Sequence, residues 1–128
     1  NVETKNFGYV TDTNFLRNIY AASDIFACPS TRESFGKVVL EAALCGTPSV
    51  AFPGTGGAEI IKRVNGGIIA CGNTSEAFLE ACEDLISVIQ SYDSRSLSLR
   101  AKDIFSIESA LESHLSVYHS VLDEVSST

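Results

Sequence analysis

The sequence holds no methionine and no tryptophan, only three prolines, and nine lysine and arginine residues against sixteen acids in 128 residues. The shortage of cations leaves a formal net charge of -7 with no basic cluster. That excludes a general nucleic-acid surface, because gripping a phosphate backbone depends on grouped Lys and Arg. No apolar run is long enough to span a bilayer, so no transmembrane segment is expected. No basic start followed by an apolar centre marks a signal peptide either. A cytoplasmic location follows as the default, with contact to a membrane surface only through parts outside this chain. The four cysteines, Cys28, Cys45, Cys71 and Cys82, lack the close pairing of a zinc site or a C-x-x-C redox motif. Each lies in or beside an apolar segment, and they read as free buried thiols in a reducing compartment. There is no internal repeat and no low-complexity segment. With no initiator methionine and a start at Asn1, the chain is expected to be a piece of a longer protein.

What is present fits one globular unit. A hydrophobic content of 45% and a charged content of 20% are ordinary for a folded domain, and a chain of this length buries about two thirds of its unfolded surface. The pattern alternates strands with helices. Residues 6–10 read as a short strand, and Thr13 to Ala22 as a helix with Phe15, Leu16, Ile19 and Tyr20 on one side. Ile25 to Cys28 is a continuous apolar run, as in a parallel strand covered on both faces. A helix from Gly36 to Cys45 is ended by Gly46 and Pro48, and Ser49 to Phe52 is a second buried strand. Ala58 to Arg63 reads as a short helix, Gly67 to Ala70 as a short strand, and Asn73 with Glu76 as a capping box for a helix to Gln90. Ile107, Leu111, Leu115, Tyr118, Leu122 and Val125 recur at steps of three and four, which predicts one long amphipathic helix capped near Ser106. Its opposite face carries acids rather than lysines, so the stripe is expected to pack into the core. His114 and His119 lie in this helix and read as surface residues. The fold class is therefore α/β, a Rossmann-like parallel sheet with helices on both faces and a long C-terminal helix. The single domain spans 1–128, with an α/β part over 1–90 and a helical part over 91–128.

The densest chemistry lies between Pro29 and Pro48, where Glu33 and Glu41 stand with seven residues between them across a loop-to-helix junction. A helix starting near Gly36 exposes its first N–H groups and the positive end of its dipole, which can hold phosphate oxygens without a cationic side chain. Glu33 falls just before that terminus. Glu41 falls about a turn and a half beyond it, where a carboxylate could accept hydrogen bonds from a pair of sugar hydroxyls. A nucleotide sugar needs N–H groups for its diphosphate and acceptors for its hydroxyls.

Glu33 to Glu41 with Phe35-Gly36 inside, followed by Cys45-Gly46-Thr47-Pro48, resembles the E-x7-E signature of retaining glycosyltransferases, most closely family 4 of the GT-B fold. The resemblance runs from about Phe7 to Ile86 and includes Ala22-Ser23-Asp24, Pro29-Ser30, Gly56 and Glu59-Ile60-Ile61 in order. It implies an enzyme moving a sugar from a nucleoside-diphosphate donor to an acceptor hydroxyl with retention of configuration, this chain being the latter part of its C-terminal nucleotide-sugar-binding domain. Residues 1–90 would then be the donor-binding part. Glu33, the catalytic candidate, would touch the hydroxyls of the transferred sugar, and Glu41 the ribose hydroxyls. Backbone around Ser34, Phe35, Gly36, Lys37 and Val38 would hold the diphosphate and part of the sugar. Tyr9 and Val10 would flank the nucleobase, although core packing serves Tyr9 equally well. No cofactor and no metal is implied, the diphosphate charge being met by basic side chains and helix dipoles.

The same resemblance implies an upstream Arg and Lys for the diphosphate, and an N-terminal domain that binds a carbohydrate or lipid-linked acceptor. Neither is in this sequence, so the chain alone is expected to be inactive. Ser34 stands where the family usually has glycine and is small enough to keep the turn. Lys37 replaces a commoner aliphatic residue and reads as a phosphate contact or a solvated lysine. Thr55-Gly56 replaces Gly-Gly and could approach the sugar donor or simply connect two elements. A nucleotide-sugar-binding subunit of a split transferase and a GT-B-fold epimerase are the alternative functions.

Overall fold

The computed structural model describes residues 3–126, with the side chains of residues 121 and 124–126 outside the description. Three short strands, Phe26–Cys28 (β1), Ser49–Ala51 (β2) and Gly67–Ile69 (β3), pair in parallel in the order β1-β2-β3. The helices are Thr13–Ala21 (α1), Lys37–Leu44 (α2), Gly56–Val64 (α3), Ser75–Val88 (α4), Ser94–Ile104 (α5) and Ile107–Ser126 (α6). A short 3-10 turn, Ile89–Ser91, follows α4.

Alternation along the strands divides the core into two layers. On one face Cys28 and Ala51 meet Val39 and Ala43 of α2, Ile60, Ile61 and Val64 of α3, and Leu97 and Ala101 of α5. On the other face Val50, Phe52 and Ala70 meet Ala81 and Leu85 of α4. Central β2 is buried along its whole length, which is why its residues carry no period-two pattern. The parallel sheet with helices on both faces is thus the observed architecture.

Several local expectations change. Residues 6–10 form no strand: Gly8 has φ +63 and donates its N–H to Asn6 Oδ1 at 2.8 Å, a side-chain turn that competes with extended pairing. Phe7 instead packs edge-on against Phe15, with ring centroids 5.8 Å apart. Strand β1 is covered on one face only. Ala27, in register with Val50, is exposed because the helix on that side, α4, packs against β2 and β3. Helix α3 begins two residues early, at Gly56, because Thr55 caps it by accepting the Ala58 N–H. The cap of α4 is Thr74 rather than Asn73, its hydroxyl accepting the Ala77 N–H at 3.2 Å. Cys28 is buried and Cys45 and Cys82 are partly so, but Cys71 is exposed in the turn after β3.

Two larger differences concern the C-terminal third. Helix α5 escapes the periodicity because it is serine-rich and buries only Leu97 and Ala101, one turn apart. Asp93 starts it by accepting the Ser96 N–H at 3.0 Å and the Ser96 hydroxyl at 2.6 Å, and those two bonds hold the Asp93 carboxyl below its usual range. Helix α6 forms as expected, and Ser106 accepts the Ser109 N–H at its start. Its apolar stripe does not pack into the core: Ile107, Leu111, Leu115 and Tyr118 are 84, 57, 47 and 63% exposed. The side chain of Val125 lies outside the described residues. A helical period identifies which face is apolar and carries no information on what, if anything, faces it. His114 and His119 are exposed, as expected.

Leu97 is fully buried between α2 and α3. Replacing it with Ala should destabilise the domain by about 2 to 5 kcal/mol, measured as a lower urea midpoint. A change below about 0.5 kcal/mol, typical of surface sites, would show that α5 does not belong to the core.

Candidate functional site

Two helix starts converge above the C-terminal ends of β1 and β2. Glycines make the convergence possible. Gly36 caps α2 in the left-handed region at φ +83, and a Cβ there would lie 2.6 Å from the Gly56 carbonyl carbon and the Gly57 nitrogen. A Cβ on Gly56 would in turn strike the backbone of Phe35. The Gly56 N–H donates to the Glu33 carbonyl at 2.7 Å and locks the two loops together. Thr55 completes the corner, its hydroxyl donating to the Phe52 carbonyl at 2.8 Å.

The start of α2 has no side-chain cap. Its first free N–H groups belong to Lys37, Val38 and Val39, since the Leu40 N–H bonds back to Gly36. Ser34 and Phe35 are exposed beside them, Phe35 at 55%, while Gly36 is buried and Val38 half-buried. Lys37 extends into solvent and reaches Glu41 Oε1 at 3.9 Å, one turn along α2. An exposed pair of this kind contributes little stability.

The two glutamates do not share a cleft. Glu33 and Ser34 line an open cleft of about 580 Å³ with Gly54, Thr55, Glu59 and Lys62, bounded by Pro53 after β2 and Ile69 at the end of β3. Ligands of open α/β sheets characteristically bind at these strand ends. Glu41 points to the opposite side of α2, into a recess of about 240 Å³ lined by Thr13, Leu16, Arg17, Tyr20, Leu44 and Cys45. Leu16 and Tyr20 also line a neighbouring groove of about 630 Å³ that contains Val10. Tyr9 is 94% exposed, which removes the core-packing reading.

Each carboxylate has a donor beneath it. The Cys28 thiol donates to Glu33 Oε2 at 3.6 Å, and burial, followed by the Glu33 charge, pushes that thiol up and keeps it protonated. The Tyr20 hydroxyl donates to Glu41 Oε2 at 3.3 Å, and burial, followed by the Glu41 charge, pushes its pKa up to about 12. Sequence reasoning left Cys28 and Tyr20 as packing residues, took Glu59 only as part of the family motif, and did not single out Arg17 or Lys62. The spacing of Leu16 and Tyr20 with Arg17 on one helix held part of that signal. Nothing local announced that Tyr20 would meet a residue twenty-one positions later. Among the described residues, no group of three or more His, Cys, Asp or Glu side chains is arranged to hold a metal. No helix among them is long and apolar enough to cross a membrane.

A parallel sheet between helix layers, with two helix starts locked together at its strand ends, defines an open α/β domain with its candidate site at the strand ends. Sucrose-phosphate synthase from Thermosynechococcus elongatus, a GT-B protein, shares this fold, with a TM-score of 0.69 over 88% of this chain and 29% of that one, at 22% identity. Residues 3–88 match the family model for glycosyl transferases group 1, and the chain belongs to that family. Among curated relatives, D-inositol 3-phosphate glycosyltransferase from Rhodococcus erythropolis is 38% identical over 72 residues, 56% of this chain and 16% of the relative. A GDP-mannose-dependent alpha-(1-6)-phosphatidylinositol dimannoside mannosyltransferase from Mycobacterium tuberculosis is 31% identical over 109 residues, 84% of this chain and 28% of the relative. The chain thus spans less than a third of the length of either relative.

Two measurements follow from this geometry. Replacing Gly36 with Ala puts a Cβ into the Gly56–Gly57 backbone and forces a left-handed residue, so stability should fall by at least about 1 to 2 kcal/mol, read from urea denaturation. Tyr20 gives a pH signature. Its proton is held more tightly in the folded chain, so its contribution is complete below the ordinary pKa of 10.0 and is lost as pH rises toward about 12. The wild type should therefore lose stability faster than Tyr20→Phe across that window. Parallel loss in both would mean that Tyr20 ionises as freely folded as unfolded.

Proposed function

We propose that this chain supplies the donor-sugar side of a retaining glycosyltransferase of family 4, moving a sugar from a nucleoside diphosphate to an acceptor hydroxyl. The observation that carries the reading is the uncapped start of α2, flanked by Glu33 on one side and Glu41 on the other. Membership of the group 1 family supports a transferase. The N–H groups of Lys37, Val38 and Val39 meet the diphosphate, and the locked Gly36–Gly56 corner holds them in place without reorganisation during the reaction. Glu33, in the strand-end cleft, faces the hydroxyls of the transferred sugar. Glu41, in the recess behind α2, accepts from the ribose hydroxyls, and Val10 borders the nucleobase in the adjoining groove with exposed Tyr9 beside it. In this reading the remaining phosphate charge is met by basic side chains outside the chain, no metal takes part, and a further domain presents a carbohydrate or lipid-linked acceptor. The relatives named above act, by their names, on an inositol phosphate and a phosphatidylinositol dimannoside.

Separate clefts predict separate losses in the full-length enzyme. Glu41→Gln should weaken the sugar donor and free nucleoside diphosphate alike, by about 1.5 to 3 kcal/mol for a charged hydrogen bond. Glu33→Gln should lower kcat with free nucleotide affinity nearly unchanged. Steady-state kinetics and calorimetric titration separate the two, and equal loss of nucleotide affinity in both variants would sink the division of roles.

A further inference from the structure

Tyr20 has more contacts than an aromatic packing residue needs. The residue is 9% exposed and its ring meets Phe26 edge-on, with centroids 5.4 Å apart. Its carbonyl accepts the buried Thr47 hydroxyl at 2.6 Å, which fixes the end of α1 to the loop before β2. The phenol is thus held at both backbone and ring, with its hydroxyl 3.3 Å from Glu41 Oε2. The other Glu41 oxygen faces Lys37 at 3.9 Å, on an exposed stem. A carboxylate on a helix has several rotamers open to it, and a fixed phenol at one oxygen selects among them. Tyr20 also forms a wall shared by the Val10 groove and the Glu41 recess, the two places assigned to base and ribose.

We propose that Tyr20 is a positioning residue for the sugar-nucleotide donor: its hydroxyl orients Glu41 so that the free carboxylate lone pairs meet the ribose hydroxyl pair. The inference rests on the assignment of Glu41 to ribose given above. It makes Tyr20 a determinant of ribose recognition that acts through Glu41 and touches no reacting atom.

The test compares ADP, GDP and UDP with their 2′,3′-dideoxy counterparts, titrated calorimetrically into the full chain as wild type, Tyr20→Phe and Glu41→Gln. The phenylalanine keeps the ring contact with Phe26, and dideoxynucleotide affinity serves as an internal check on the fold. The wild type should prefer the ribonucleotide. Glu41→Gln should lose most of that preference, and Tyr20→Phe should lose on the order of tenfold of it, the size of a hydrogen bond to a charged group, with dideoxynucleotide binding unchanged. If Tyr20→Phe weakens both nucleotide forms equally, or keeps the full preference that Glu41→Gln loses, the positioning role is overturned while Glu41 stands. A full preference retained by Glu41→Gln would overturn the ribose assignment itself, and this role with it.

Discussion

The contact on which the rest depends is between two backbones. Phe35-Gly36 lies against Gly56-Gly57 with no room for a Cβ at Gly36 or Gly56, and the Gly56 N–H to Glu33 carbonyl bond of 2.7 Å closes it. Side chains adapt to their neighbours by changing rotamer, whereas two backbones in contact have a single separation. The starts of α2 and α3 are therefore placed relative to each other by covalent geometry rather than by the packing of flexible groups. A helix start is useful for an anion only if its N–H groups stay where they are when the charge arrives. The glycine contact supplies that constraint, and the same residues carry the loop that ends in Glu33.

The opposite ends of the same helices are held differently, by α5. The Ser98 hydroxyl donates to the Leu44 carbonyl at 2.7 Å, at the end of α2, and Arg100 Nε donates to the Val64 carbonyl at 2.9 Å, at the end of α3. Gly46, at φ +82, lets the Ser94 carbonyl approach closely. Arg100 also puts a cation at the negative end of α3, the favourable sense for the dipole. Leu97 and Ala101 then fill the space between the two helices. Helices α2 and α3 are thus clamped at both ends, and α5 is as much a part of the site's scaffold as the sheet.

What the sequence made legible was what is encoded locally. The run from Ser49 to Phe52 could only be a covered strand, Gly46 and Pro48 had to end a helix, and the glycines at 36 and 56 marked backbone that departs from the ordinary. The parallel sheet followed from alternation alone. What stayed hidden was pairwise. Tyr20 reads as one more apolar position on α1, and Cys28 as one more buried thiol, until the fold sets them 3.3 and 3.6 Å from Glu41 and Glu33. Helix α5 was hidden because two buried residues one turn apart make no period. The stripe on α6 shows the reverse case, a pattern readable to the residue whose burial was inferred and not found.

Charge gives a reason why, in the proposed reading, this half of a phosphate site would be built from N–H groups. The chain carries a net charge of -7, and its cation nearest the α2 start, Lys37, is exposed and faces Glu41. A lysine there sits at the positive end of the helix dipole, where a cation is disfavoured, and its contribution to phosphate binding is divided with the carboxylate one turn on. Backbone N–H groups have neither drawback. They carry no counter-ion, lose no rotamer freedom on binding, and are held by Gly36 and Gly56. An anion drawn to that start lies between two acids, Glu33 in the loop before α2 and Glu41 on the helix, each with one oxygen already engaged by a buried donor, Cys28 for Glu33 and Tyr20 for Glu41. Those donors leave both carboxylates as oriented acceptors, which suits hydroxyls and repels further anions. In the proposed reading that arrangement suits a ligand with one charged centre flanked by neutral polyols on both sides, the chemical description of a nucleoside-diphosphate sugar.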